Sequence, residues 1–239
     1  MKCRRRISGV VAVLAALVLL GPAEPRAGEL LPDDLDKSGA VDATDLVLLA
    51  NFQAGNLNSM PAQFGQLWEA DPIVGGLRRV PAGKFTQGSP EDEPCNGSNE
   101  TQFTHTLTRD FAVMETEVTR LMWATLLAVQ PTLPADPTDT LYGAGMSNPV
   151  QNVTWYAAVL FANLLSAERG LIRCYYTDAG FTTPIDSANY NDGPFYCDFD
   201  ASGYRLLSEG EWEYACRAET ATPFWIAESN YSEITCWDT

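Results

Sequence analysis

Residues 34–45 (DLDKSGAVDATD) carry the clearest chemistry in the 239-residue sequence. Asp34, Asp36, Ser38, Asp42 and Asp45 occupy positions 1, 3, 5, 9 and 12 of a loop, with Gly39 at the sharp turn in between. Side-chain oxygens at that spacing, with the carbonyl of Ala40 and the apolar Val41 after the turn, are hard donors arranged for Ca²⁺. The alternative is an acidic surface turn without metal. A second stretch, 198–209 (DFDASGYRLLSE), fits the same pattern. It puts Arg205 where the loop needs an apolar residue and Glu209 where a helix begins, so it is not read as a calcium site. His105 is the only histidine, which excludes a zinc site with two or three His ligands from this chain alone. His105 lies in an alternating run, Phe103, His105 and Leu107 against Thr104, Thr106 and Thr108, and reads as a strand-face residue. No phosphate-binding glycine loop of the Walker type is present.

The elements that must hold such groups follow from periodicity and capping. Behind the acidic loop, 46–54 reads as a helix with Leu48, Leu49 and Phe52 inward, closed at Gly55. Residues 58–73, with Pro61, Gly65 and Pro72, read as a linker. Residues 203–217 (GYRLLSEGEWEYACR) read as a short strand running into a helix from Glu209. Ser208 and Glu211 form the capping-box pair there, and Glu209, Glu211 and Glu213 lie near the helix's positive end. Trp212, Ala215 and Cys216 share a face expected to enter the core. Thr119 caps a helix with a Met122, Leu126 and Val129 stripe that stops at Pro131. Thr154 caps another, with Trp155, Ala158, Val159, Ala162 and Leu165 on one face. Leu160, Phe161 and Leu164 make it apolar on nearly every side, so burial is expected before Gly170 ends it. Cys174 and Cys197 bracket a polar loop that a disulfide between them would staple. Its aromatic residues, Tyr175, Tyr176, Tyr190, Phe195 and Tyr196, either line a ligand surface or hold the loop together.

The stretch Arg205-Leu206-Leu207-Ser208-Glu209-Gly210-Glu211-Trp212-Glu213-Tyr214-Ala215 resembles the R-L-P-T-E-A-E-W-E-Y-A signature of the sulfatase-modifying factor family, the formylglycine-generating enzymes. Leu207, Ser208 and Gly210 depart from it. Gly83, Phe85, Gly88, Glu93, Pro94, His105, Leu107 and Phe111 resemble the start of the same domain, and the segment from Pro149 to Ala158 resembles its P-V-x-x-V-S-W-x-D-A stretch. The resemblance implies an α+β, irregular C-type-lectin-like fold and oxygen-dependent conversion of a sulfatase cysteine to formylglycine with copper. The family's reactive cysteine pair follows a G-N-V-W-E-W segment that does not occur before Thr239, so no catalytic residue is assigned and copper is expected only if a further segment supplies those cysteines. The loop at residues 34–45 resembles half of a dockerin type I module. Dockerins carry two such units, so a cohesin partner is not expected.

Lys2, Arg4, Arg5 and Arg6 before the apolar run 7–20, then Gly21 and Pro22, have the layout of a secretory leader with cleavage near Ala27. The run is too short for a confident membrane span. The expected order is leader 1–27, calcium loop and helix 28–57, linker 58–73 and an incomplete main domain 74–239. The formal net charge of −16 makes a nucleic-acid partner an unfavourable reading, because phosphate binding needs a basic surface. Two functions stay open: an oxygen-dependent modifying domain inactive as it stands, or a non-catalytic extracellular, calcium-dependent binding module for glycan or protein. Calorimetric titration of residues 28–57 is expected to detect Ca²⁺ binding that Asp34→Ala abolishes; no heat from the unmutated fragment would remove the calcium assignment.

Overall fold

The computed structural model describes residues 17–19, 65, 67–91 and 100–218; the acidic loop, the helix after it, Glu93, Pro94, Cys95 and Cys236 lie outside them. The chain divides into two compact units, one built from residues 11–81 and 110–206, the other from 1–10, 82–109 and 207–239.

The larger unit is a five-stranded antiparallel sheet packed with two helices. Its strands are β1 (Leu17–Leu19), β2 (Leu67–Asp71), β3 (Gly75–Val80), β6 (Phe111–Met114) and β9 (Tyr204–Leu206), in the order β2-β3-β6-β1-β9. Every ladder is antiparallel, with Leu77 opposite Met114 and Val80 opposite Phe111 in the β3–β6 pair. Residues 67–71, read above as linker, are a strand because Asp71 is anchored. Asp71 is buried, its Oδ1 accepts the backbone N–H groups of Ile73 (2.7 Å) and Val74 (3.0 Å), and its Oδ2 accepts from the Tyr204 hydroxyl (2.8 Å) and pairs with Arg169 Nε (2.8 Å). A buried carboxylate is tolerated only when so satisfied.

Helix α1 (Arg120–Val129) starts as expected at Thr119, whose hydroxyl accepts from Met122 N (3.3 Å). Its buried face differs from the expected stripe. Trp123 and Leu126 are inward while Val129 is exposed, because Trp123 stacks on Phe161 at 5.1 Å and donates its indole N–H to the Pro134 carbonyl (2.9 Å). Helix α2 (Trp155–Glu168), capped by Thr154, is buried continuously from Ala157 to Ser166, as its apolar sequence requires. Only Asn163 and Ser166 are polar within that stretch, and both serve neighbouring backbone. Asn163 donates to the carbonyls of Tyr175 (2.7 Å) and Ile185 (2.9 Å) and accepts from Tyr175 N (3.0 Å). Ser166 donates to Ala162 O (2.7 Å) and accepts from Tyr204 N (2.8 Å).

The smaller unit pairs a hairpin, β4 (Gly83–Gln87) with β5 (Phe103–Leu107), and a helix, α3 (Glu209–Arg217). The Ser208–Glu211 capping box is complete: Ser208 Oγ accepts Glu211 N (3.3 Å) and Glu211 Oε2 accepts Ser208 N (2.8 Å). The expected inward face is corrected by one position. Gly210, Glu211 and Tyr214 are buried, whereas Trp212, Ala215 and Cys216 are half-buried. Tyr214 packs on Phe85 at 5.1 Å, and a Cβ at Gly210 would come within 2.2 Å of the His105 ring, so the glycine is the condition for close helix–hairpin approach. Glu213 Oε1 accepts Gly88 N (3.0 Å) and Arg217 Nη2 (2.7 Å), while Arg217 Nη2 also donates to Gly88 O (2.9 Å). Gly88 has φ +94°, and a Cβ there would lie 2.7 Å from the Glu100 carbonyl oxygen. Among the described residues no helix is long and apolar enough to cross a membrane.

Asn163→Leu keeps the branched skeleton but strands the Ile185 carbonyl and the Tyr175 N–H in a buried site, and leaves the Tyr175 carbonyl with only its bond from Ile185 N. The expected loss is roughly 2–5 kcal/mol in urea denaturation of the full chain; a loss below about 1 kcal/mol would show that Asn163 does not hold this loop.

Candidate functional site

The exposed end of α2 carries the candidate site. Thr154 Oγ1 accepts Ala157 N (3.1 Å) and fixes the first turn, which places Trp155 and Tyr156 at the surface end of a helix that is buried immediately afterwards. Both rings remain exposed, at 43% and 42%, although each packs on Phe195. Trp155 meets Phe195 edge-on (5.2 Å, 83°) and Tyr156 lies against it (5.2 Å, 34°). Trp155 also contacts the edge of Tyr175 at 6.3 Å. Rings fixed by one another and still open to water form a rigid apolar platform.

The segment that supplies Phe195 is braced by its own polar groups. β7 (Tyr175–Tyr176) pairs with β8 (Tyr196–Cys197), and Ile185 N donates to Tyr175 O (2.9 Å). The exposed Asp178 carboxylate accepts from Gly180 N (3.0 Å) and Thr183 N (2.8 Å); these and the other backbone bonds at that turn, Thr183 foremost, hold it below the usual carboxylate range. Asn189 donates to Pro184 O (3.3 Å) and accepts from Asp186 N (2.9 Å).

Of the five loop aromatics singled out in the sequence, Tyr175 and Tyr176 are buried, Tyr190 and Phe195 half-buried and Tyr196 exposed. The loop packing and the surface are therefore divided among them. Trp155 was expected in the core and is corrected to the surface; its position directly after the Thr154 cap, at the helix mouth, was the available signal, and Tyr156 shared it. Cys174 and Cys197 are not joined. Cys197 stands opposite Tyr175 in the ladder, so alternation directs residues 174 and 197 to opposite faces. Burial, with the nearby Cys197 and Asp198 and against Arg205, pushes the Cys174 thiol up to about 12. Cys216 is disulfide-bonded. His105 is on strand β5, stacked on Phe85 at 5.7 Å and hydrogen-bonded to Gln87, as its alternating run implied. Residues 198–209 form a turn, strand β9 and a helix cap instead of a cation loop. Among the described residues no group of three or more His, Cys, Asp or Glu side chains is placed to hold a metal. Asp34, Asp36, Ser38, Ala40, Asp42 and Asp45 lie outside the described residues.

These elements define an α+β domain with short, irregular sheets and a long braced loop. The model of the Sulfatase-modifying factor enzyme 1-like domain matches residues 69–236, and the chain belongs to that family, whose formylglycine-generating-enzyme fold it has. Chaperone protein LppX of Paenibacillus barcinonensis is 31% identical over 132 residues, 54% of this chain and 44% of that protein, so the chain spans less than half of that relative's length. Among solved structures, CarF is 28% identical over 58% of this chain and 54% of its own, with a TM-score of 0.45. PvdO from Pseudomonas aeruginosa is 22% identical over 70% and 56%, also with a TM-score of 0.45.

The Cys174 shift has a signed consequence. An unfolded thiol loses its proton near 9.0 and the folded one only near about 12, so the folded state holds the extra proton between them. Stability from this group is complete below pH 9 and is lost as pH rises toward about 12. Native alkylation at pH 8 is expected to label Cys197 well before Cys174; equal rates would contradict the buried thiol.

Proposed function

We propose that this domain is a non-catalytic, extracellular binding member of the sulfatase-modifying factor family, taking a neutral glycan on the Trp155–Tyr156–Phe195 platform. The observation that carries the reading is a pair of rings more than 40% exposed and yet held in fixed mutual geometry. Flat aromatic faces suit the apolar face of a pyranose, and the net charge of −16 opposes anionic ligands.

The oxidative reading needs two thiolates free to bind copper. Cys174 holds its proton at neutral pH and Cys216 is already in a disulfide, so neither supports it. In this proposal residues 1–27 direct export, and the loop Asp34, Asp36, Ser38, Ala40, Asp42 and Asp45 binds Ca²⁺ and adds a second, calcium-dependent attachment point. A protein ligand on the same platform is the second reading, favoured by the word chaperone in the name of the Paenibacillus relative.

Trp155→Ala and Phe195→Ala in the full chain are each expected to weaken glycan-array binding about ten-fold, with the melting temperature of Trp155→Ala lowered by only a few degrees because its ring is 43% exposed. Undiminished glycan binding by Trp155→Ala would refute the platform. A silent array with client aggregation suppressed by the unmutated chain only would establish the protein reading instead.

A further inference from the structure

The apolar run that reads as an export leader also supplies a strand of the folded domain. β1 lies between β6 and β9 and is hydrogen-bonded to both. Val18 pairs with Val113 on one side and Arg205 on the other, and Leu19 pairs with Ala112 and Tyr204. The strands it joins are deeply placed: Phe111, Ala112 and Met114 in β6 are buried, as are Tyr204 and Arg205 in β9. Backbone N–H and C=O groups beside an empty strand position there would be left without partners in a dry environment, a state folded proteins avoid.

A leader acts only while its apolar run is free to enter the export machinery and be read together with the cleavage site. Residues 17–19, held in two antiparallel ladders, are not free, and the two destinations exclude each other. We propose that folding and export compete for residues 17–19: once the full chain folds, β1 holds these three residues of the leader in the sheet and the folded precursor resists leader removal. The proposal rests on the leader reading of residues 1–27. The device is thus a timing switch, in which slow folding favours the processed form and fast folding the retained one.

The test uses the full chain in two preparations, one freshly diluted from denaturant and one refolded to completion, each offered to signal peptidase in detergent. The fresh chain is expected to be cut near Ala27 and the refolded chain at least about ten-fold more slowly. In Val18→Pro, which cannot complete the ladders, the refolded chain is expected to be cut as fast as the fresh one, and the amides of Ala112, Val113, Tyr204 and Arg205 to exchange faster. Equal cutting of fresh and refolded unmutated chain would overturn the competition. Unchanged exchange in Val18→Pro would overturn the strand, and no cutting of either preparation would overturn the leader reading itself and the proposal with it.

Discussion

The larger unit depends on how a helix with almost no solvent-facing side can be surrounded by backbone that still needs hydrogen bonds. From Ala157 to Ser166 helix α2 offers its surroundings apolar surface, which drives burial but satisfies no polar group. Asn163 and Ser166 resolve the conflict at two places. Asn163 acts toward Tyr175 and Ile185 as a neighbouring strand does, giving and taking main-chain hydrogen bonds where no strand is present. Ser166 does the same at Tyr204, the first residue of β9. The long loop and the last strand are therefore registered against the helix by two side chains, and the rings that Phe195 and Tyr175 contribute inherit that register.

A comparable economy orders the smaller unit. Glu213 and Arg217, one turn apart on α3, address both main-chain groups of Gly88, so a salt bridge that would contribute little at the surface is tied to a turn of fixed geometry. The positive φ of Gly88 and the contact distance at Gly210 are two requirements of one packing arrangement, helix against hairpin.

The capping residues were legible in the sequence because their signal is local: Thr119, Thr154 and Ser208 each launch the helix expected of them. The strand placement of His105 was legible from alternation for the same reason. Helix faces were less so. In a helix of nine residues the choice between Trp212 and Tyr214 as the inward ring turns on what lies opposite, here Phe85 and the His105 ring, and that is a long-range fact. Trp155 illustrates the other limit: periodicity assigns it to the apolar stripe, but the stripe leaves the core at the helix mouth. The bracketing of a loop by Cys174 and Cys197 suggested a bond, and a ladder register one residue away from the required pairing prevents it.

The platform and the buried thiol are opposite results of the same loop fold. The loop 174–197 buries Cys174 and Tyr175 and leaves Tyr196 outward, with Phe195 touching both exposed rings of α2. Burial that protects Cys174 from ionising removes it from thiolate chemistry, while the tie of Asn163 to Tyr175 holds the loop that presents the rings. A surface whose aromatic groups are immobilised in advance loses little side-chain freedom when a ligand arrives, so affinity can come from a few rings instead of a deep pocket. In the proposed binding role the functional burden falls on the mouth of α2, where the helix leaves the core.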